Sequence, residues 1–261
     1  MGDLRLVAQV ARFGVVGLAR DRSTLVFTVI FPVALLALFN AVFADEGGLA
    51  IRGARVPLDG YFTAGMAAYA LMMAAFSTLA ITLTSQRETG QLKRLRATAM
   101  PPWVFIAGQV AKVALLVVAM VALLVAIGVV AYGVPLSGAG LAGVAVYTLL
   151  GTAAFTTLGV AATALLRTAE SASAITPFAT VVLGFVSGVW IPTQELPGWA
   201  VDLGQLFPLA HLAEGLQRSL AGPSAGAGLD PLNAGVLLLW GVAGLAVAAR
   251  GFRWTPRARA G

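Results

Sequence analysis

The residues of this chain that could do chemistry are few, and most of them lie in one short connector. The stretch TSQRETGQLKRLRATAMPPW (84–103) places five charged residues within ten positions, although only 11 % of the chain is charged. The chain has one histidine, His211, and no cysteine, which excludes multi-histidine and thiolate metal sites and a thiol nucleophile. It also lacks a G-x-x-x-x-G-K-[ST] loop for phosphate binding. We therefore expect no catalytic residue, no metal site and no cofactor bound by this chain.

The connector has the features of a short, stiff helix. Its sequence SQRE (85–88) matches the capping box S-x-x-E, which predicts a helix over 85–100. Leu92 and Leu95 are three residues apart, so they fall on one face of that helix. The basic residues project elsewhere; they are Lys93, Arg94 and Arg96. The two prolines that follow end the segment before the next apolar run.

The residues alone leave two interpretations of this helix open. A basic helix beside a membrane can anchor on anionic headgroups, with Glu88 as a structural cap. Alternatively, a small apolar ridge ringed by charge can fit into the groove of a protein partner. Composition does not separate the anchor from the docking element.

Composition indicates the environment in which this connector works. The chain is 59 % hydrophobic, its mean hydropathy is +0.90, and soluble domains are usually about 25 % charged. Several apolar runs approach the roughly 20 residues that cross a bilayer. We expect an integral membrane protein whose net charge of +6 reflects its orientation in the membrane rather than nucleic-acid binding.

The predicted fold is an all-α membrane protein that forms a single domain over 1–261. It begins with an amphipathic interfacial helix over 1–22. A polar, glycine-rich loop covers 44–60, and proline-interrupted 191–221 forms an external re-entrant segment. The predicted membrane spans are six: 24–43, 61–83, 103–132, 141–166, 172–190 and 232–249.

Positive charge predicts the orientation of these spans. An even number of spans places both termini on the same side as the connector. Of the 17 lysines and arginines, only Arg52, Arg55 and Arg218 lie on the other side. By the positive-inside rule, the termini and the connector are cytoplasmic.

Two polar residues outside the connector have open roles. Lys112 lies about nine residues into the third predicted span, where a charge is a functional candidate. Its long side chain could equally extend to the cytoplasmic interface, in which case the role of Lys112 would be structural. His211 lies in the external segment, where we expect a structural role.

The connector also resembles a known family. The stretch RETGQLKRLRATAMPPWVFIAGQV is similar to the signature of the ABC-2 type permeases, roughly E-x-G-x-x-x-x-L-R-x-T-x-x-x-P. The pattern is met by Glu88, Gly90, Leu95, Arg96, Thr98 and Pro102. The proline-bearing first span, the six-span order and the segment FPLAHLAEGLQ resemble the family as well, so the similarity covers the whole chain.

The resemblance implies a function and a set of partners. The connector would be the coupling helix of a type V ABC exporter, seated in a cleft of a separate ATP-binding subunit that uses ATP and Mg. Two such subunits would serve two permease copies, as a homodimer or a related heterodimer, among the lipids of a bacterial plasma membrane. The implied coupling contacts are Arg87, Glu88, Gly90, Leu92, Lys93, Arg94, Leu95 and Arg96, and Arg167 and Glu170 in the next cytoplasmic loop are either a second contact or an ordinary charged turn.

The resemblance also suggests where cargo would pass. In the related permeases the second and fifth spans line the dimer interface. The candidate path residues there are Met72, Met73, Phe76, Phe178 and Phe185, although apolar side chains of this kind more often serve packing. Such a lining favours amphipathic or hydrophobic cargo, such as a drug, an antibiotic or a lipid. The alternatives are a membrane scaffold that recruits a soluble protein without transport, and an ion-coupled carrier, which the lack of intramembrane acids disfavours.

Overall fold

A computed structural model of the chain describes residues 2–20, 26–43, 48–51, 54–97, 100–252 and 254. The described part is almost entirely helical. Five of its helices are long and apolar enough to cross a membrane; they are α3 (Leu58–Glu88), α5 (Pro102–Tyr132), α6 (Gly138–Ala162), α7 (Ala169–Val186) and α10 (Pro231–Gly251). In a helix the backbone N–H and C=O groups hydrogen-bond to each other, whereas lipid hydrocarbon offers them no partner. The molecule is therefore a multi-pass helical membrane protein.

Shorter elements fill the intervals between these helices. The amphipathic α1 and the apolar α2 precede α3, and a two-stranded antiparallel hairpin separates α2 from α3. The short elements, in chain order, are α1 (Gly2–Arg20), α2 (Phe31–Val42) with π-helical turns before it (Val26–Ile30), β1 (Leu49–Ile51), β2 (Ala54–Val56), α4 (Gln91–Arg96), α8 (Gly198–Gln205) and α9 (Pro208–Ser219).

Helix α3 lies at the centre of the bundle. Almost every side chain from Leu58 to Ala75 is buried, and α2, α5, α6 and α9 pack around it. Small residues permit this close approach. A Cβ on Gly65 would lie 2.5 Å from the carbonyl oxygen of Val189, and one on Gly159 of α6 would lie 2.8 Å from that of Ala75.

The middle of α3 departs from regular α geometry. Residues Met73–Thr78 form π-helical turns between two α-helical stretches. They lie where Gly159 of α6 meets the backbone of α3. Inserted π turns of this kind mark places where a helix bends or rearranges, frequently at functional sites.

The structure differs from the predicted elements in several places. The described helix of the first predicted span, 24–43, is short, because α2 and the turns before it cover only Val26–Val42. The predicted loop 44–60 contains the hairpin, so that prediction was incomplete. Helices α6 and α7 begin three residues before the predicted spans 141–166 and 172–190 and end four residues before them.

Candidate functional site

The connector forms an elbow after α3. Helix α3 continues through Ser85 to Glu88, and the chain turns at Gly90, whose φ of +73° is in the left-handed region. Glycine adopts that conformation without a steric penalty, which explains why the turn falls there. Helix α4 begins immediately afterwards, at Gln91.

The predicted capping box is therefore wrong. Ser85 lies inside α3, where its carbonyl oxygen accepts a hydrogen bond from the amide of Thr89 at 2.9 Å. Glu88 is the last residue of α3 rather than the third residue of a new helix, and α4 has no side-chain cap. The predicted helix 85–100 is divided into the end of α3 and the six-residue α4, and positions 98 and 99 lie outside the described residues.

Arg87 faces the interior of the molecule. It is only 2 % exposed, and its guanidinium donates to the carbonyl oxygens of Thr163 at 2.6 Å and Leu166 at 2.5 Å. These oxygens lie at and just beyond the C-terminus of α6, where four carbonyls lack partners within the helix. A cation there also interacts favourably with the helix dipole. Arg87 thus joins the end of α3 to the end of α6, and its burial withdraws it from the surface contact expected of it.

Glu88 makes the complementary contact with the next helix. Its Oε2 accepts a hydrogen bond from the amide of Ala169 at 2.6 Å, at the N-terminus of α7. Thr168 caps the same end through the amide of Ser171 at 3.1 Å, and the Ser171 hydroxyl accepts from the amide of Thr168. A carboxylate is favourable at this positive end of the helix dipole. We call Arg87 and Glu88 together the turn clamp, because they hold both sides of the α6–α7 turn.

The surface of α4 is basic. Leu92 is fully buried in the core and Leu95 is half-buried against it, so the apolar ridge of α4 faces the core of the chain itself. This corrects the expectation that both leucines form an outward docking ridge. The exposed charged side chains of α4 are Lys93, Arg94 and Arg96; Arg167 is exposed on the adjacent α6–α7 turn, and Glu170 is exposed in the first turn of α7.

The candidate path residues do not share one surface. Met72 is fully buried and Met73 is 8 % exposed, with its sulfur accepting a hydrogen bond from the Thr180 hydroxyl at 3.0 Å. Phe76 is half-buried. By contrast, Phe178 and Phe185 are 70 % and 46 % exposed on α7. Within one copy of the chain, the methionines therefore pack inside, whereas the two phenylalanines face outward.

An exposed apolar stripe runs along α7. Ile175 and Val182 are also exposed and alternate with Phe178 and Phe185 at spacings of three and four residues. That spacing is typical of a helix seam that packs against another helix. The sequence pattern contains this signal, although only the structure shows that the stripe has no partner helix within the described chain.

His211 and Gln217 form buried hydrogen bonds near the Leu58 end of α3. The ring nitrogens of His211 contact Asn233 Oδ1 at 2.8 Å and the carbonyl oxygen of Gln205 at 3.0 Å. The amide of Gln217 donates to the carbonyl oxygen of Gly188 at 3.3 Å. The buried His211 thus joins α9 to α10. Among the described residues, no group of three or more metal-ligating side chains occurs.

Comparisons with known proteins identify the family of the chain. A model of the family described as "ABC-2 type transporter" matches residues 6–220, which include the elbow, the α6–α7 turn and α9. A Bacillus subtilis (strain 168) protein named "Putative transport permease YvfS" is 22 % identical over 205 residues, which are 78 % of this chain and 81 % of the relative.

Proposed function

The chain belongs to the ABC-2 type transporter family, and from this premise we propose that it is the permease subunit of an ATP-driven exporter. The observation on which the proposal depends is the elbow: a basic surface helix joined, through the turn clamp, to three membrane helices. Membership of this family implies an ATP-binding partner in general, and the chain itself lacks a phosphate-binding loop. ATP and Mg would be used by that partner, and this chain would bind neither.

The chemistry of the docking surface follows from α4. Its outward side chains include Lys93, Arg94 and Arg96, and Arg167 is exposed on the neighbouring turn. A partner cleft lined with acidic side chains would match this surface, and complementary charge would speed association and fix the register. We therefore propose that α4 and the α6–α7 turn dock together onto one ATP-binding subunit, with two subunits per complex.

The turn clamp suggests how movement of the partner reaches the membrane. Leu92 and Leu95 hold α4 against the core, so a displacement of α4 would move the end of α3. Arg87 and Glu88 would transmit the same displacement to α6 and α7 through four backbone groups of the turn. The π-helical Met73–Thr78 would then be the place where α3 accommodates the shift.

The exposed stripe on α7 supports a second permease copy. Four apolar side chains at seam spacing would pack against the same stripe of a partner chain, as a homodimer or a related heterodimer. Phe178 and Phe185 would then line the space between the two copies, and cargo passing there would be amphipathic or hydrophobic. We place the complex in a bacterial plasma membrane, with six spans and both termini cytoplasmic, moving cargo outward.

A membrane scaffold is the second candidate function, because it too would need a basic docking surface and a rigid attachment of that surface to the membrane helices. Co-purification separates the two functions. From cells carrying the native operon, the detergent-solubilised chain should bring down a nucleotide-binding protein whose ATP hydrolysis responds to a transported compound. A partner without ATPase activity would favour the scaffold.

The matched variants make this experiment specific to the docking surface. The triple variant Lys93→Gln, Arg94→Gln and Arg96→Gln should lose the ATPase, because the surface charge is removed while the buried leucines remain. The control is Arg55→Gln, an exposed arginine in the hairpin, which should retain the ATPase. Equal retention by both variants would contradict the proposed docking surface.

A further inference from the structure

Helix α1 packs along α5 and leaves a groove beside the contact. A Cβ on Gly108 of α5 would overlap Val10 of α1, and one on Gly14 of α1 would overlap the stem of Lys112. The two helices therefore run parallel where they touch, because the contact moves from residue 10 to 14 on α1 and from 108 to 112 on α5. Beside this contact lies a groove of about 750 Å³, lined almost wholly by apolar side chains; these include Val7, Ala11 and Val15 of α1 and Ala114, Leu115 and Val118 of α5.

The groove is bordered by positive charge. Arg12 is the one charged residue that lines it in the described structure, and Arg5 lies seven residues earlier on the same side of α1. Both arginines are exposed. Lys112, which is only 5 % exposed, lies on α5 next to the lining residue Ala111.

Among the described residues, the two helices that form the groove carry little negative charge to balance these cations. Helix α5 contains no aspartate or glutamate, and the one acid of α1 is Asp3. Within the part of the chain that the structure describes, none of the three cations forms an ion pair with a carboxylate. A partly buried cation in apolar surroundings is costly unless an anion accompanies it. An anion that carries apolar chains would both fill the apolar groove and balance the positive charge beside it.

We propose that this groove binds an anionic phospholipid, with its acyl chains on the apolar floor and its phosphate on Arg12 and Arg5. Basic pockets between membrane helices on the cytoplasmic side bind anionic headgroups in this way. The positive charge of Lys112 would be balanced by the same headgroup. Helix α5 is the described helix against which α1 chiefly packs, so the lipid would also fix α1 in place. The proposal depends on the cytoplasmic placement of α1 proposed above, but not on transport or on the ATP-binding partner.

The test measures lipid retention by the purified full-length chain. The chain is delipidated in detergent, mixed with equal amounts of phosphatidylglycerol and phosphatidylcholine, and examined by native mass spectrometry. Wild type should retain phosphatidylglycerol in preference. Arg12→Gln should lower that preference about fivefold, because one arginine near an anionic headgroup contributes roughly that factor. Ala114→Phe, which fills the groove, should lower retention of both lipids.

The controls separate a lipid site from a free phosphate site and from a general effect of positive charge. Arg250→Gln removes an exposed cation at the end of α10, outside the groove, and should leave the preference unchanged. Excess glycerol phosphate should not displace the lipid, because it lacks acyl chains; displacement would show a free phosphate site and would overturn the proposal. An equal preference in wild type and Arg12→Gln, with both proteins folded by circular dichroism, would overturn it as well. None of these readouts involves ATP hydrolysis, so failure here is distinguishable from failure of the exporter function.

Discussion

The two ends of α3 are both held by polar side chains, but with different chemistry. At the Glu88 end, two charged side chains reach backbone groups of the α6–α7 turn. At the Leu58 end, the contacts are made by uncharged groups: the Tyr61 hydroxyl and the Gln217 amide both donate to the carbonyl oxygen of Gly188. One end of the helix is thus attached through charge, and the other through neutral hydrogen bonds.

The charged side chains nearer the surface also differ between the two ends. Near the Leu58 end, Arg218 and Asp230 pair with each other at 2.8 Å, and Asn233 donates to Glu214 at 3.2 Å. At the Glu88 end, the cations of α4 form no ion pair within the described residues. The first set of charges is satisfied within the chain, whereas the second is available to a partner. This difference fits the proposed function, in which one end of the bundle is built for stability and the other docks a partner.

The largest effect should follow from Arg87→Met, which removes the clamp from α6. The carbonyl oxygens of Thr163 and Leu166 would lose a charged donor in a buried place. Hydrogen bonds to charged groups contribute about 1.5–3 kcal/mol each, so we expect a loss of about 3 kcal/mol. The melting temperature in detergent should fall by roughly 10 °C. Arg94→Met, a change of the same type on the exposed face of α4, is the control and should melt like wild type.

A smaller loss of stability is expected from Asn233→Leu at the other end. Asn233 is fully buried and bridges His211 and Glu214. Loss of the bridge should cost about 1–2 kcal/mol and lower the melting temperature by roughly 4 °C. Binding of the ATP-binding subunit should not change. Reduced co-purification at a temperature where the variant is folded would contradict the division between a stabilising end and a docking end.

Glu88→Gln should affect transmission more than stability. Glutamine keeps a hydrogen-bond acceptor for the amide of Ala169 but loses the charge at the N-terminus of α7. The change in stability should be about 0.5–1 kcal/mol. We expect the ATPase to co-purify in normal amounts but to respond less to cargo, because α7 is held less firmly. Glu170→Gln is the matched control, since Glu170 lies in the first turn of the same helix and is exposed. An unchanged response in Glu88→Gln would show that the clamp does not transmit movement.

The sequence predicted the family and the existence of most long helices, because both depend on signals that are local in the chain. The motif around Glu88 supports the family, which the comparison confirms, and α5 covers the predicted third span, 103–132. Apolar periodicity and two prolines are sufficient for such predictions.

Local patterns failed where a side chain contacts distant backbone. Arg87 binds carbonyl oxygens about eighty residues away, and backbone carbonyls have no sequence signature. The direction of Leu92 depends on how α4 packs against the core, so helical periodicity could identify its apolar face but not what that face meets. The capping box failed because its sequence also fits the end of a long helix that continues through it.

The smallest change in stability, and the sharpest test of the docking end, should come from Arg94→Gln. Arg94 is exposed and outside the clamp, so its loss should change stability by less than about 0.5 kcal/mol. Affinity for the ATP-binding subunit should fall by about threefold, as expected for one surface charge pair. The difference from wild type should disappear at high ionic strength, since screening removes the contribution of the charge in both proteins. Arg55→Gln in the hairpin should show neither effect. A loss of affinity that persists at high salt would mean that Arg94 acts through packing, and the docking surface would then have to be apolar rather than electrostatic.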